Sequence, residues 1–208
     1  MFLYNYAKLQ KRETILIILL LGLSFLGRIP IILIYGDVEI ENEWTILLNN
    51  LINHSALAST QFGEFLLPNL WMPPLYAYYL YLFTFFNYEY QNFVLLILFS
   101  QSILASISVV IFYKINKIFF TNKISYYSSL VFSFFPLYIY ASTQISSISL
   151  TIFLSMFFYY YFFKVKKYKK KIHIVYLGFI SGLLLLVSRE FTAIVILSCL
   201  YLFLFCKL

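Results

Sequence analysis

Between Thr14 and Phe205 the chain is a succession of apolar runs joined by short connections, and this alternation constrains its fold more than any other feature. The longer runs are Thr14–Tyr35, Phe93–Tyr113, Ile124–Ala141, Leu150–Phe163, Ile174–Ser188 and Phe191–Phe205. Each is apolar on every side, so each is predicted to be a helix that satisfies its own backbone in lipid. A membrane barrel would instead show short segments of alternating polarity. With 62% hydrophobic and 11% charged residues, a soluble domain could not hide this much apolar side chain. The expectation is an all-α integral membrane protein, residues 1–208 forming a single membrane domain with about six transmembrane helices. The spans are placed at 14–35, 93–113, 124–141, 147–165, 172–188 and 190–206. The first run passes through Arg28 and Pro30 to spanning length with no small-x-small site after it, which argues against a cleaved signal peptide.

The one long stretch without a continuous apolar run is Ile34–Leu75, most of which falls in the loop 36–92. It carries Asp37, the sole aspartate of the chain, then Glu39, Glu41, Glu43 and Glu64, with no Lys or Arg. Ile40, Trp44, Leu47, Leu48, Leu51 and Ile52 recur at helical spacing, which predicts an amphipathic helix lying along a membrane surface with Trp44 at headgroup level. Pro68, Pro73 and Pro74 then hold the backbone extended and delay the next helix until Leu75. The aromatic run Leu75–Phe86 is about 18 Å long as a helix, short of a hydrocarbon core of about 30 Å. It is read as a juxtamembrane helix that returns to the side it came from.

Charge assigns the sides. If residues 75–86 do not cross, thirteen of the fifteen basic residues lie inside, Arg28 and Arg189 being the exceptions, and every acid but Glu13 lies outside. Both termini are then cytoplasmic, and the protein is placed in the inner (plasma) membrane. The net charge of +7 is thus a topology signal, and no nucleic-acid partner is expected. The run Lys164–Lys171 is read as a contact for anionic lipid of the inner leaflet. Cys199 and Cys206 are read as buried thiols, and His54 and His173 lack ligand spacing. No Gly-rich phosphate loop, nucleophile elbow, HExxH or metal-type Cys cluster is present.

The outer ends of the spans carry the chemistry. Arg28 and Arg189 are expected at the depth of the acidic loop, where an arginine is expensive unless partnered; each could give forked hydrogen bonds to phosphate. Asp37, held at the end of the first span by Gly36, could act as a general base. Asp37 with Glu41, or Glu39 with Glu43, are i,i+4 pairs that could share a hard divalent cation such as Mg²⁺ or Mn²⁺.

The order of these features resembles the GT-C superfamily of membrane glycosyltransferases, in particular the protein O-mannosyltransferase and lipopolysaccharide or lipid A glycosyltransferase branch. The likeness rests on GDVE at Gly36–Glu39, LLNNL at Leu47–Leu51 and PPLY at Pro73–Tyr76. It continues with YKINKIF at Tyr113–Phe119, FPLYIYAS at Phe135–Ser142 and GFISGLLLLVSR at Gly178–Arg189. It spans nearly all of the chain but about the N-terminal half of a family member. The resemblance implies transfer of a sugar from a polyprenyl-phosphate carrier to an envelope lipid, glycan or protein acceptor on the extracytoplasmic face. Asp37 takes the place of the family's catalytic carboxylate, sometimes assisted by a divalent cation. Arg189, followed by Glu190, takes the place of the basic residue near the carrier phosphate. Where many relatives have a second acid, this chain has Ser147 and Ile148. A second polypeptide supplying the remaining half is an implied partner. The competing readings are a non-catalytic membrane subunit, a small transporter or flippase, and an inactive fragment.

Overall fold

A computed structural model describes residues 2–59, 65–69, 71–86 and 89–206. Glu64 and Lys207 lie outside the described residues, as do the side chains of Lys8, Lys11 and Cys206. The chain is helical, with one two-stranded ribbon of two residues per strand among the described residues. In order, the elements are α1 (Phe2–Tyr35), α2 (Asn42–His54), β1 (Ala58–Ser59), β2 (Leu67–Pro68), α3 (Pro74–Thr84) and α4 (Tyr90–Phe119). Then follow α5 (Asn122–Ser133), α6 (Pro136–Ala141), α7 (Ile148–Tyr168), α8 (Lys171–Val187), a 3₁₀ turn (Arg189–Phe191) and α9 (Thr192–Cys206).

Among the described residues, three helices are long and apolar enough to cross a membrane: α1 over Arg12–Tyr35, α4 and α7. The other three expected spans take shorter forms. Residues 124–141 divide into α5 and α6, because Pro136 has no N–H to continue a helix and instead opens a new one at its first position. Helices α8 and α9 have 17 and 15 residues, or about 26 and 22 Å.

α4 is the central helix, touching α1, α3, α5 and α7. Its inward side carries Gln101, Ser102, Ser106 and Ser108 among apolar residues, all buried. Lipid offers no hydrophobic gain for packing helix on helix, so close packing and hydrogen bonds of about 0.6–2 kcal/mol each hold such a bundle together. Here the Tyr138 hydroxyl of α6 donates to the Ala105 carbonyl at 2.7 Å, and Gln101 Nε2 donates to the Tyr76 hydroxyl of α3 at 2.8 Å.

Two contacts fix the relation of α1 to α4. Glu13 Oε1 pairs with Lys117 Nζ at 2.6 Å, while a Cβ built on Gly36 would lie 3.0 Å from Leu98 Cδ1. The helices are therefore antiparallel. Phe119 meets Phe163 with ring centroids 5.0 Å apart, so the C-terminal end of α7 and the lysines after it lie at the Lys117 end. Asp37, by contrast, bonds to Ile145 just before α7 begins. The lysines and Asp37 thus sit at opposite ends of a 21-residue helix, about 31 Å apart along its axis.

α3 does not run the length of the bundle. It begins beside Arg189, packs on Ser100 and Gln101 of α4 through Tyr79 and Tyr76, and hands the chain to Tyr90, whose hydroxyl accepts from the Ile40 amide at 3.0 Å. It starts and finishes at the Asp37 end.

Two expectations are corrected. The apolar stripe of α2 does not face a membrane surface: Ile40, Trp44, Leu47, Leu48 and Leu51 are buried in the protein core, and Trp44 meets the Tyr76 ring edge-on at 4.7 Å. The indole packs on α3. Cys199 is exposed on α9 rather than buried, because that helix turns mainly Val195 and Leu202 inward.

Candidate functional site

Gly36 closes α1 by donating to the Ile32 carbonyl at 2.9 Å, and there is no room for more: an added Cβ would come within 2.3 Å of that oxygen. Asp37 follows, partly buried and fixed at two points on the turn between α6 and α7. Its amide donates to the Thr143 carbonyl at 3.1 Å, and its Oδ2 accepts from the Ile145 amide at 2.6 Å. A carboxylate receiving a backbone N–H makes a charge-assisted bond, stronger than a neutral one.

Asp37 lines an open groove of about 700 Å³ together with Gly36, Val38, Glu39, Ile40, Glu41 and Glu43. Residues 36–41 are not helical; Glu41 is the N-cap of α2 with φ −56° and ψ 148°. The helical pairing of Asp37 with Glu41, and of Glu39 with Glu43, therefore does not form. Glu41 and Glu43 lie where the positive end of the α2 dipole favours acids. Among the described residues, no three or more His, Cys, Asp or Glu side chains converge. No step is assigned through a divalent cation.

Arg189 and Glu190 stand on the 3₁₀ turn between α8 and α9, both exposed. They line a second groove, of about 460 Å³, with Trp71, Pro73, Ser147 and Thr151 among its walls. Trp71 is also a wall of a third groove, of about 370 Å³, which contains Glu43. Shared walls therefore link the Asp37 groove to the Arg189 groove, through Glu43 and then Trp71. The α6–α7 turn adjoins both, with Thr143 and Ile145 holding Asp37 and Ser147 bordering Arg189.

Arg28 is elsewhere. It is 1% exposed inside the bundle and lines neither groove. Its Nη1 donates to the Ser24 carbonyl at 2.7 Å and to Ser24 Oγ at 2.6 Å, and its guanidinium carbon lies 4.8 Å from the Tyr138 ring centre. Its Nε and Nη2 have no hydrogen-bond partner among the described residues. Arg28 precedes Asp37 by nine residues, about 13 Å along a helix axis. Arg28, expected at the depth of the acidic loop, is therefore an interior cation, and Arg189 borders a groove separate from that of Asp37.

Several residues that shape the site went unnoticed in the sequence. Asn69 builds the turn that presents Trp71: its Oδ1 accepts from the amides of Trp71 at 3.2 Å and Met72 at 3.0 Å, while its Nδ2 donates to the Met72 carbonyl at 2.9 Å. Asn50 ties β1 to α2 by donating to the Ala58 carbonyl at 2.7 Å. Tyr79 shares a short hydrogen bond with Ser100, and burial pushes its phenol up to about 12. The Tyr76 phenol is raised well above its usual value, chiefly by burial, with Tyr79 and the charge of Asp37 adding to the effect. The available signal was the polar residues Ser100, Gln101 and Ser102 in an otherwise apolar run, since polar groups inside a span face protein and find partners.

Comparison of the chain with family models, curated proteins and solved structures finds no match in any of the three.

Proposed function

We propose that the chain is a membrane glycosyltransferase of the GT-C type, moving a sugar from a polyprenyl-phosphate donor to an envelope acceptor at the extracytoplasmic face. The reading includes six crossings, with residues 122–141, α8 and α9 crossing alongside α1, α4 and α7, and both termini on the cytoplasmic side. It rests on one observation above all: the sole aspartate lies in an open groove whose walls lead, through Glu43 and Trp71, to a groove holding Arg189.

In this reading Asp37 takes the proton of the acceptor hydroxyl. The freed oxygen forms a bond to the anomeric carbon of the sugar, and the bond from that carbon to the phosphate oxygen breaks. The electron pair leaves with the polyprenyl phosphate, whose charge Arg189 meets with a forked pair of donors. The hydrogen bond from Ile145 holds one carboxylate oxygen still and thereby orients the other. Glu190 borders the same groove and can accept from sugar hydroxyls.

The same hydrogen bond favours a second reading, a non-catalytic membrane subunit in which Asp37 is a structural latch and a second polypeptide carries the chemistry. Transfer of labelled sugar from a polyprenyl-phosphate donor in membranes separates the two. Asp37→Asn retains an acceptor for Ile145 and loses the base, so the enzyme reading expects at least about a hundredfold loss of activity with the fold intact. Equal transfer by wild type and Asp37→Asn removes the catalytic assignment.

A further inference from the structure

Six lysines fall within the eight residues Lys164–Lys171, at the tip of the α7–α8 hairpin. From Tyr90 to Arg189 the sequence contains no Asp or Glu. The nearest acid at that end of the bundle, Glu13, is already paired with Lys117 at 2.6 Å. Lys167, Lys169, Lys170 and Lys171 are all exposed. Lys169 occupies the tip in the left-handed conformation (φ 50°, ψ 28°), donating to the Val165 carbonyl at 2.9 Å. Glycine is the usual residue for that position, and here a lysine stands in it despite the steric cost. Tyrosines frame the charges: Lys164 Nζ lies 4.4 Å from the Tyr160 ring centre and Lys167 Nζ lies 5.5 Å from that of Tyr168. Such a tip attracts anions from outside the chain.

The apolar surface below it indicates which anion. On α8, Lys171, Val175, Gly178, Gly182 and Leu186 fall on one face at helical spacing. All five are exposed, and Phe179 beside them is 66% exposed. A Cβ added at Gly178 or Gly182 would meet nothing within 4 Å. The face is therefore a shallow apolar furrow that runs away from the lysines and that no other part of the described chain fills. A free phosphate ion would use the charge and leave the furrow bare.

We infer that the α7–α8 hairpin binds one anionic phospholipid, its phosphate held by Lys169, Lys170 and Lys171 and an acyl chain lying along Gly178 and Gly182. The charge supplies preference for anionic over zwitterionic headgroups, and the furrow supplies a place for the chain that a flat helix surface lacks. This site lies at the end of the bundle opposite Asp37 and is independent of any catalytic role.

The test is titration of the full chain, purified in a non-ionic detergent, with short-chain phosphatidylglycerol, short-chain phosphatidylcholine and inorganic phosphate, read by native mass spectrometry. Phosphatidylglycerol is expected to bind at least tenfold more tightly than phosphatidylcholine. Inorganic phosphate in large excess should not displace it. The triple variant Lys169→Gln, Lys170→Gln, Lys171→Gln should lose the headgroup preference, and replacement of the same three by Arg should keep it. Gly178→Leu with Gly182→Leu, which has room in this fold, should weaken binding of phosphatidylglycerol at least threefold with every charge in place. Equal binding of the two lipids by the wild-type chain overturns the proposal whether or not the variants fold. Displacement by phosphate overturns it in favour of a free-anion site. A dimer that the paired leucines abolish overturns it in favour of a second helix on the furrow.

Discussion

Asp37 and Ile145, 108 residues apart in the chain, are joined by a 2.6 Å hydrogen bond from the isoleucine amide to the aspartate Oδ2. With the Asp37 amide donating to the Thr143 carbonyl at 3.1 Å, the end of α1 is latched to the turn that opens α7. Asp37→Ala leaves the partly buried Ile145 amide without its acceptor, a loss of about 1–3 kcal/mol, whereas Asp37→Asn keeps a neutral acceptor and loses less. Thermal unfolding of the purified variants in detergent should rank them wild type, Asn, Ala. An Ala variant as stable as wild type would mean that the latch contributes nothing.

Gly36 is confined by its own helix. A methyl group there would press on the Ile32 carbonyl and on Leu98 of α4. Gly36→Ala is expected to cost about 1–3 kcal/mol through backbone displacement. Gly178→Ala, where the added carbon meets nothing, should stabilise or be neutral. Measuring both in one detergent controls for the general effect of Gly→Ala on helices, and equal stability of the two variants would contradict the close approach of α1 to α4.

Arg28 is a buried cation held by Ser24 and the face of Tyr138, with two nitrogens that have no hydrogen-bond partner among the described residues. Replacing buried charge with an apolar side chain of similar length is often neutral or stabilising by about 1–4 kcal/mol. Arg28→Met should therefore unfold at the same or a higher temperature than wild type. A marked loss of stability would show that the guanidinium is held by interactions stronger than Ser24 and Tyr138 supply.

Burial raises the Tyr79 phenol from its ordinary value of 10 to about 12. An unfolded chain then releases this proton near pH 10 while the folded chain retains it, so the folded state loses stability between pH 10 and about 12. The loss attributable to this group is at most about 3 kcal/mol. Tyr79→Phe should show a correspondingly shallower decline over that window in denaturation measured at stepped pH. Parallel curves for the two proteins would place the titration elsewhere.

Sidedness is open to direct chemistry. With Cys199 and Cys206 changed to Ser, single cysteines at Val38 and at Lys123 should react with a membrane-impermeant maleimide from opposite sides of sealed vesicles. Both positions reacting from one side would remove the separation of Asp37 from the lysines, and the proposed outer-face chemistry with it.

The long helices α1, α4 and α7 were legible because an apolar run bounded by charge has few alternatives in lipid. The start of α3 was legible from Pro73 and Pro74, which dictate where a helix can begin. The partner of α2 was not legible, since one stripe of Ile40, Trp44, Leu47 and Leu51 suits a bilayer surface and a protein core equally well. Only the edge of Trp44 against Tyr76 decides between them. The division of residues 122–141 had a visible cause in Pro136, obscured by the apolar residues on both sides of it. The latch on Asp37 was hidden for a different reason. Its partners are backbone atoms of Thr143 and Ile145, and peptide groups carry no mark of identity.

The interruption before Pro136 places Phe134 against α1. An added Cβ on Gly27 would lie 2.9 Å from Phe134 Cε1, and the next residue, Arg28, lies over Tyr138 of α6. Two neighbouring residues of α1 therefore grip both arms of the elbow formed by α5 and α6. Bending that elbow would drag α1 along its length, and any shift of α1 is delivered ten residues later to Asp37 and the turn it holds.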